Sequence, residues 1–107
     1  MSELNEVLVS LEEVQEQIKM GELLEQLHRS PAFKKLIGEG YFKTEAQALV
    51  GMMAHPMQDM AKQQIQSKMI GISALQSYFN MIHRKSETAK ASLLEHNIAI
   101  EEISAED

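Results

Sequence analysis

The stretch IGISALQSYFNMIHRKSETAKASLLEHNIAI, residues 70–100, decides the fold. Its apolar side chains fall at Ile72, Leu75, Phe79, Ile82, Ala89, Leu93 and Ile100, and the series reaches back to Ile65 and on to Ile103. With Lys68, Ser86 and His96 as its polar members, every step in the series is three or four residues. That alternation is the seam of a helix packed along another helix. It predicts one long helix over 57–102, or two helices meeting near Gly71 or Ser86, and the unbroken series favours one. At ~1.5 Å per residue such a helix spans roughly 65 Å, more than the width of a compact domain of this length, so part of it must project.

The partner for that seam lies at the other end of the chain. Leu4, Val7, Leu11, Val14 and Ile18 also step by three and four, predicting an amphipathic helix over 3–28. Gly21 occupies the next step, and the pattern resumes out of phase with Leu24 and Leu27, which predicts a bend or a change of contact there. Ser30-Pro31 combines a hydroxyl cap with proline at the first helical position, opening a short helix over 31–37 that presents Phe33, Leu36 and Ile37. Gly38 and Gly40 then read as its stop, Tyr41-Phe42 as a bridge, and Thr44 as the cap of a second short helix over 45–54. His55-Pro56 ends or kinks that helix, because the residue before proline avoids the α region. The expected fold is all-α. The first helix lies antiparallel to the long last one as a helical hairpin, with two short helices between them, in a single domain over 1–107.

Composition narrows the function. The chain has 107 residues, 44% of them hydrophobic, with eight Met, no Trp and no Cys. One domain of that size can bury a core unaided. Without cysteine there is no disulfide staple, thiolate metal site or cysteine nucleophile. The longest apolar runs, such as residues 46–54, fall far short of the ~20 residues a bilayer requires. Glu3 and Glu6 stand where a signal peptide carries positive charge. A soluble intracellular protein without a membrane partner is the expectation.

The net charge of −6 weighs against nucleic acid, and its distribution says more than its sum. Residues 1–25 carry seven acids against Lys19 alone, and residues 95–107 carry five acids and no base. Residues 26–94 carry nine bases against four acids. In a hairpin both acidic ends come together. An acidic tip with an apolar stripe of Leu4, Val7, Leu11, Leu93, Ile100 and Ile103, flanked by Glu101 and Glu102, is then a docking surface for a basic, apolar groove; a fraying, solubilising tip is the plainer reading. Lys34, Lys35, Lys43, Arg84, Lys85 and Lys90 could meet phosphate. A solvated face, or a neighbour's acidic tip in a head-to-tail assembly, explains them with fewer assumptions.

Chemistry finds little purchase. Met52, Met53, Met57 and Met60 with His55 are the only local soft ligands, and methionine more often fills irregular gaps than binds copper. The histidines at 28, 55, 83 and 96 are scattered; His83 and Glu87 are spaced for a helical surface pair, not a site. Phosphate-loop, metalloprotease and serine-hydrolase motifs are missing. No catalytic, cofactor-binding or metal-ligating residue is singled out, and the chain reads as non-enzymatic.

The block Ser30-Pro31-Ala32-Phe33-Lys34-Lys35-Leu36-Ile37-Gly38-Glu39-Gly40-Tyr41-Phe42, with Glu45-Ala46 after it and Ile70-Gly71-Ile72-Ser73-Ala74-Leu75-Gln76-Ser77-Tyr78-Phe79 later, resembles small acidic helical proteins of tailed bacteriophages. The resemblance covers the chain from about Leu23 onward. It implies a phage-encoded protein of the host cytoplasm and the virion, grouped with virion and packaging functions, and it carries over no catalytic residue. Under it, Phe33, Tyr41 and Phe42 anchor the central helices to the long one near Leu75 and Phe79. The expected function is structural or assembly work through contacts with phage proteins or with further copies of itself. The alternative is a small acidic inhibitor of a host enzyme or defence protein.

Overall fold

The computed structural model describes residues 2–106, without the side chains at 2, 5, 7, 9, 96 and 106. The chain is all-α. Helix α1 (Ser2–Arg29) packs against a long helix α4 (Asp59–Glu106), with a helical segment between them in the chain. Helix α4 runs 48 residues without interruption, so neither Gly71 nor Ser86 divides it. Helix α1 continues as α-helix through Gly21.

The segment between them differs from the expectation. Ser30 caps as its hydroxyl predicts: it has extended backbone, and its Oγ accepts a hydrogen bond from the Phe33 amide at 3.3 Å. Helix α2 (Pro31–Phe33) then passes directly into a π-helical stretch (Lys34–Glu45) and on into helix α3 (Ala46–Met53). Gly38 and Gly40 do not end a helix. A glycine stop needs a left-handed residue, and no described residue has positive φ. Gly40 serves the wide turn instead, because a Cβ there would come within 3.2 Å of the Lys35 carbonyl oxygen. Thr44 caps nothing either, since the backbone at Glu45 and Ala46 is already helical and makes no side-chain cap bond. The two expected short helices are one helical run with a widened middle.

The π turn also explains the misreading. Each π turn holds more residues than an α turn. The inward positions Phe33, Ile37, Phe42 and Ala46 are accordingly spaced by four, five and four, which a search for 3.6-residue periodicity splits into two pieces. His55-Pro56 does stop the run. The Ala54 and His55 amides donate to Gly51 and Met52 carbonyls at 3.2 Å each, closing the last turn tightly before proline.

Contacts gather the chain into two compact units. One consists of residues 1–25 with 81–107, the other of residues 26–80. In the first, the buried positions are Val14, Gly21 and Leu24 on α1 and Ile82, Ser86 and Ala89 on α4. The central ones are small. A Cβ added to Gly21 would overlap Ser86 Cβ and Oγ, so the two backbones approach as closely as a glycine allows. Ser86 is 2% exposed, and among the described residues no buried side-chain nitrogen or oxygen lacks a hydrogen-bond partner.

In the second unit, Leu49 of α3 is 1% exposed and Ile72 of α4 is 5% exposed. Beside them stands an aromatic cluster centred on Phe79, with ring centroids of Phe33 at 5.8 Å, Phe42 at 6.3 Å and His28 at 5.5 Å. All three meet it at steep, edge-on angles, the arrangement ring quadrupoles favour. Tyr41 stacks obliquely on Phe42 at 5.9 Å. Leu75 is half-buried. Leu27 departs from the expected inward series and is 40% exposed, because the contact in this unit passes to His28.

Candidate protein-docking surfaces

Helix α4 carries a second stripe besides its seam. Glu87, Ala91, Leu94, Ile98, Glu101 and Ala105 also step by four and three, and all six are exposed. On a helix this stripe lies well round from the buried Ile82, Ser86 and Ala89. At its centre Leu94 is 66% and Ile98 46% exposed, one turn apart. A lone exposed leucine needs no explanation, whereas a periodic apolar strip rimmed by charge marks a contact surface. The rim here is acidic: Glu95, Glu101 and Glu102 are all exposed. Glu87, at the near end, accepts from Lys90 Nζ at 3.3 Å, so the His83–Glu87 spacing noted in the sequence is superseded by a neighbouring lysine.

In the unit 26–80, a groove of about 380 Å³ opens over the aromatic cluster, lined by His28, Phe33, Lys34, Glu39, Phe42 and Lys43 among others. Lys34 and Lys43, each next to a lining phenylalanine in the sequence, share the lining with Phe33 and Phe42, and both lysines are exposed. Glu39 is engaged by Lys35 Nζ at 3.3 Å on the exposed side of the same helix. The groove therefore combines an aromatic lining with two exposed lysines and one acid, Glu39, that Lys35 already engages. A second hollow of about 410 Å³ lies between Leu36, Tyr41, Leu49, Lys68 and Ile72. Leu36 stands 70% exposed at its edge, and Ile70 and Met60 of the same unit are 68% and 72% exposed.

The residues named from sequence divide between seam and rim. Leu4, Leu11, Leu93, Ile100 and Ile103 are half-buried, consistent with positions on the packed faces of α1 and α4. Val7 lies outside the residues whose side chains are described. Glu101 and Glu102 are exposed. The large apolar side chains exposed near them are Leu94 and Ile98, whose four-residue step is legible in the sequence but is overshadowed by the longer series of the seam. The six cations named from sequence as able to meet phosphate fall in different units: Lys34, Lys35 and Lys43 in 26–80, and Arg84, Lys85 and Lys90 in the other. Arg84 and Lys85 border a hollow of about 440 Å³ with Gln17, Met81 and Thr88.

Among the described residues no three His, Asp or Glu side chains are grouped to hold a metal ion. No described helix is long and apolar enough to cross a membrane. What the surface offers is apolar strips and grooves edged by charge. The chain matches no protein family, no curated protein and no solved structure.

Proposed function

We propose that this chain is a non-enzymatic structural or assembly protein of a tailed bacteriophage that works through protein–protein contacts. The observation that carries the reading is the outward stripe of α4, where Leu94 and Ile98 remain exposed although the seam one face away is covered. A surface helix turns one apolar stripe to the core, and further apolar side chains grouped in water within a charged rim mark a contact site. The phage assignment rests on the Ser30–Phe42 block and the Ile70–Phe79 block. Quantitative mass spectrometry of purified particles tests it: a virion component is recovered at a reproducible copy number. Recovery of none, together with no cross-linked phage protein in infected cells, would defeat the structural reading.

One observation favours a second reading. The unit 1–25 with 81–107 holds thirteen acids against four bases, a net −9 that suits mimicry of an acidic ligand by an inhibitor of a host protein. Under that reading the chain is absent from particles and co-purifies with one host protein, and charge reversal at Glu3, Glu6, Glu101 and Glu102 releases it.

A further inference from the structure

The two units carry opposite charge, and each exposes the apolar complement of the other. The acidic unit has a net −9, while the unit 26–80 holds six bases against three acids, a net +3. We propose that copies of this chain associate head to tail, the outward stripe of α4 around Leu94 and Ile98 in one copy seating in the groove over Phe33 and Phe42 in the next. The inference rests on the reading of the chain as a protein-contact module and names its first partner as a second copy of itself.

The fit is argued from both sides. Leu94 and Ile98 lie four residues apart on α4, about 6 Å along the axis, so they present two adjoining exposed apolar side chains to the groove of about 380 Å³. Its lining combines the apolar rings of Phe33 and Phe42 with Lys34 and Lys43. The stripe reverses that pattern, with apolar centre and a rim of Glu95, Glu101 and Glu102. Apolar centres within charged rims of opposite sign describe a specific interface, in which the rim steers encounter and sets register. The other hollow, beside Leu36 and Ile72, sets one lysine, Lys68, against one acid, Glu45, whereas the groove over Phe33 and Phe42 sets two lysines against Glu39, which Lys35 already engages. In the head-to-tail arrangement the stripe of one copy seats in the next copy and not reciprocally in the same partner, so the contact is heterologous. It leaves one stripe and one groove open at the ends of every dimer, so growth continues into a ring or a filament.

Sedimentation velocity over a concentration series, at low and high ionic strength, tests the proposal with three proteins. The native chain should gain mass with concentration beyond the dimer and lose it in high salt, since exposed charges are screened. The groove variant K34E/K43E and the stripe variant E95K/E101K/E102K should each associate roughly tenfold or more weakly, through juxtaposed like charges. Mixed together, they should associate again, because each supplies the surface the other reversed. All five positions are exposed, so unchanged far-ultraviolet circular dichroism separates a lost contact from a lost fold. A native chain that stays monomeric at every concentration overturns the self-association, as does a mixture that fails to regain it. Cross-linking of the native chain in phage-producing cells distinguishes the larger failure. A monomer that cross-links to another protein through Lys34 or Lys43 leaves the protein-contact reading standing with a different partner, and a monomer that cross-links to nothing removes both.

Discussion

In residues 1–25 with 81–107, the buried positions are Val14, Gly21, Leu24, Ile82, Ser86 and Ala89; in residues 26–80 they are Leu49 and Ile72, beside the rings of His28, Phe33, Phe42 and Phe79. The first unit draws two helices together until small side chains touch. The second packs aromatic rings beside a π-helical stretch. The first carries a net −9 and the second a net +3. The two units hold together by different means: close backbone approach in one, ring packing in the other. The comparison teaches that a continuous heptad pattern does not guarantee a uniform interface, because residue size at the seam sets how near the helices come.

Substitutions that damage one unit's means of packing test the distinction. Leu49→Ala should have the largest effect, since truncating a side chain this buried costs about 2–5 kcal/mol, read as a fall in the denaturant midpoint. Phe79→Ala should cost about 3 kcal/mol, near the lower end for a phenylalanine because the ring is half-buried. Amide hydrogen exchange should localise both losses mainly to residues 26–80. Equal loss of protection throughout would show that the two units open as one.

Gly21→Ala sharpens the contrast through its sign. Alanine in place of an interior helical glycine ordinarily adds about 1 kcal/mol. Here its Cβ meets Ser86, and overpacking of about 1–3 kcal/mol should outweigh the gain, lowering the midpoint. The double variant G21A/S86A tests the cause, because removing the hydroxyl should recover part of the loss. Ser30→Ala should cost about 1 kcal/mol by removing the cap on the Phe33 amide. Gly51→Ala completes the series with a gain of less than about 1 kcal/mol, since nothing lies within 4 Å of a Cβ there. A stabilised Gly21→Ala, or a destabilised Gly51→Ala, would break the assignment of close approach to the acidic unit.

Much of this architecture could be read before any coordinates. The three-and-four spacing from Ile65 to Ile103 announces a long helix with one covered face, and from Ile72 the apolar members of that series are buried or half-buried. Ser30-Pro31 announces a capped start and His55-Pro56 a stop, because hydroxyl acceptors and proline rings act on their immediate neighbours. The central segment was misread because glycine is ambiguous. Gly38 and Gly40 permit a left-handed stop equally with a wide turn, and the choice depends on what Phe33 and Phe42 find on the facing helix.

The sequence by itself determined that the chain is helical, where its first and last helices run, and that their ends are acidic around a basic middle. Those properties follow from periodicity, from local capping and from a count of charges. Tertiary structure alone decided that Gly21 is the point where α1 meets Ser86, that the middle of the chain is one widened helix, and which apolar side chains of α4 stay in water. Each of those outcomes depends on the distance to a residue far away in the chain, such as Ser86 from Gly21 or Phe79 from Phe33, and local chemistry does not encode that distance.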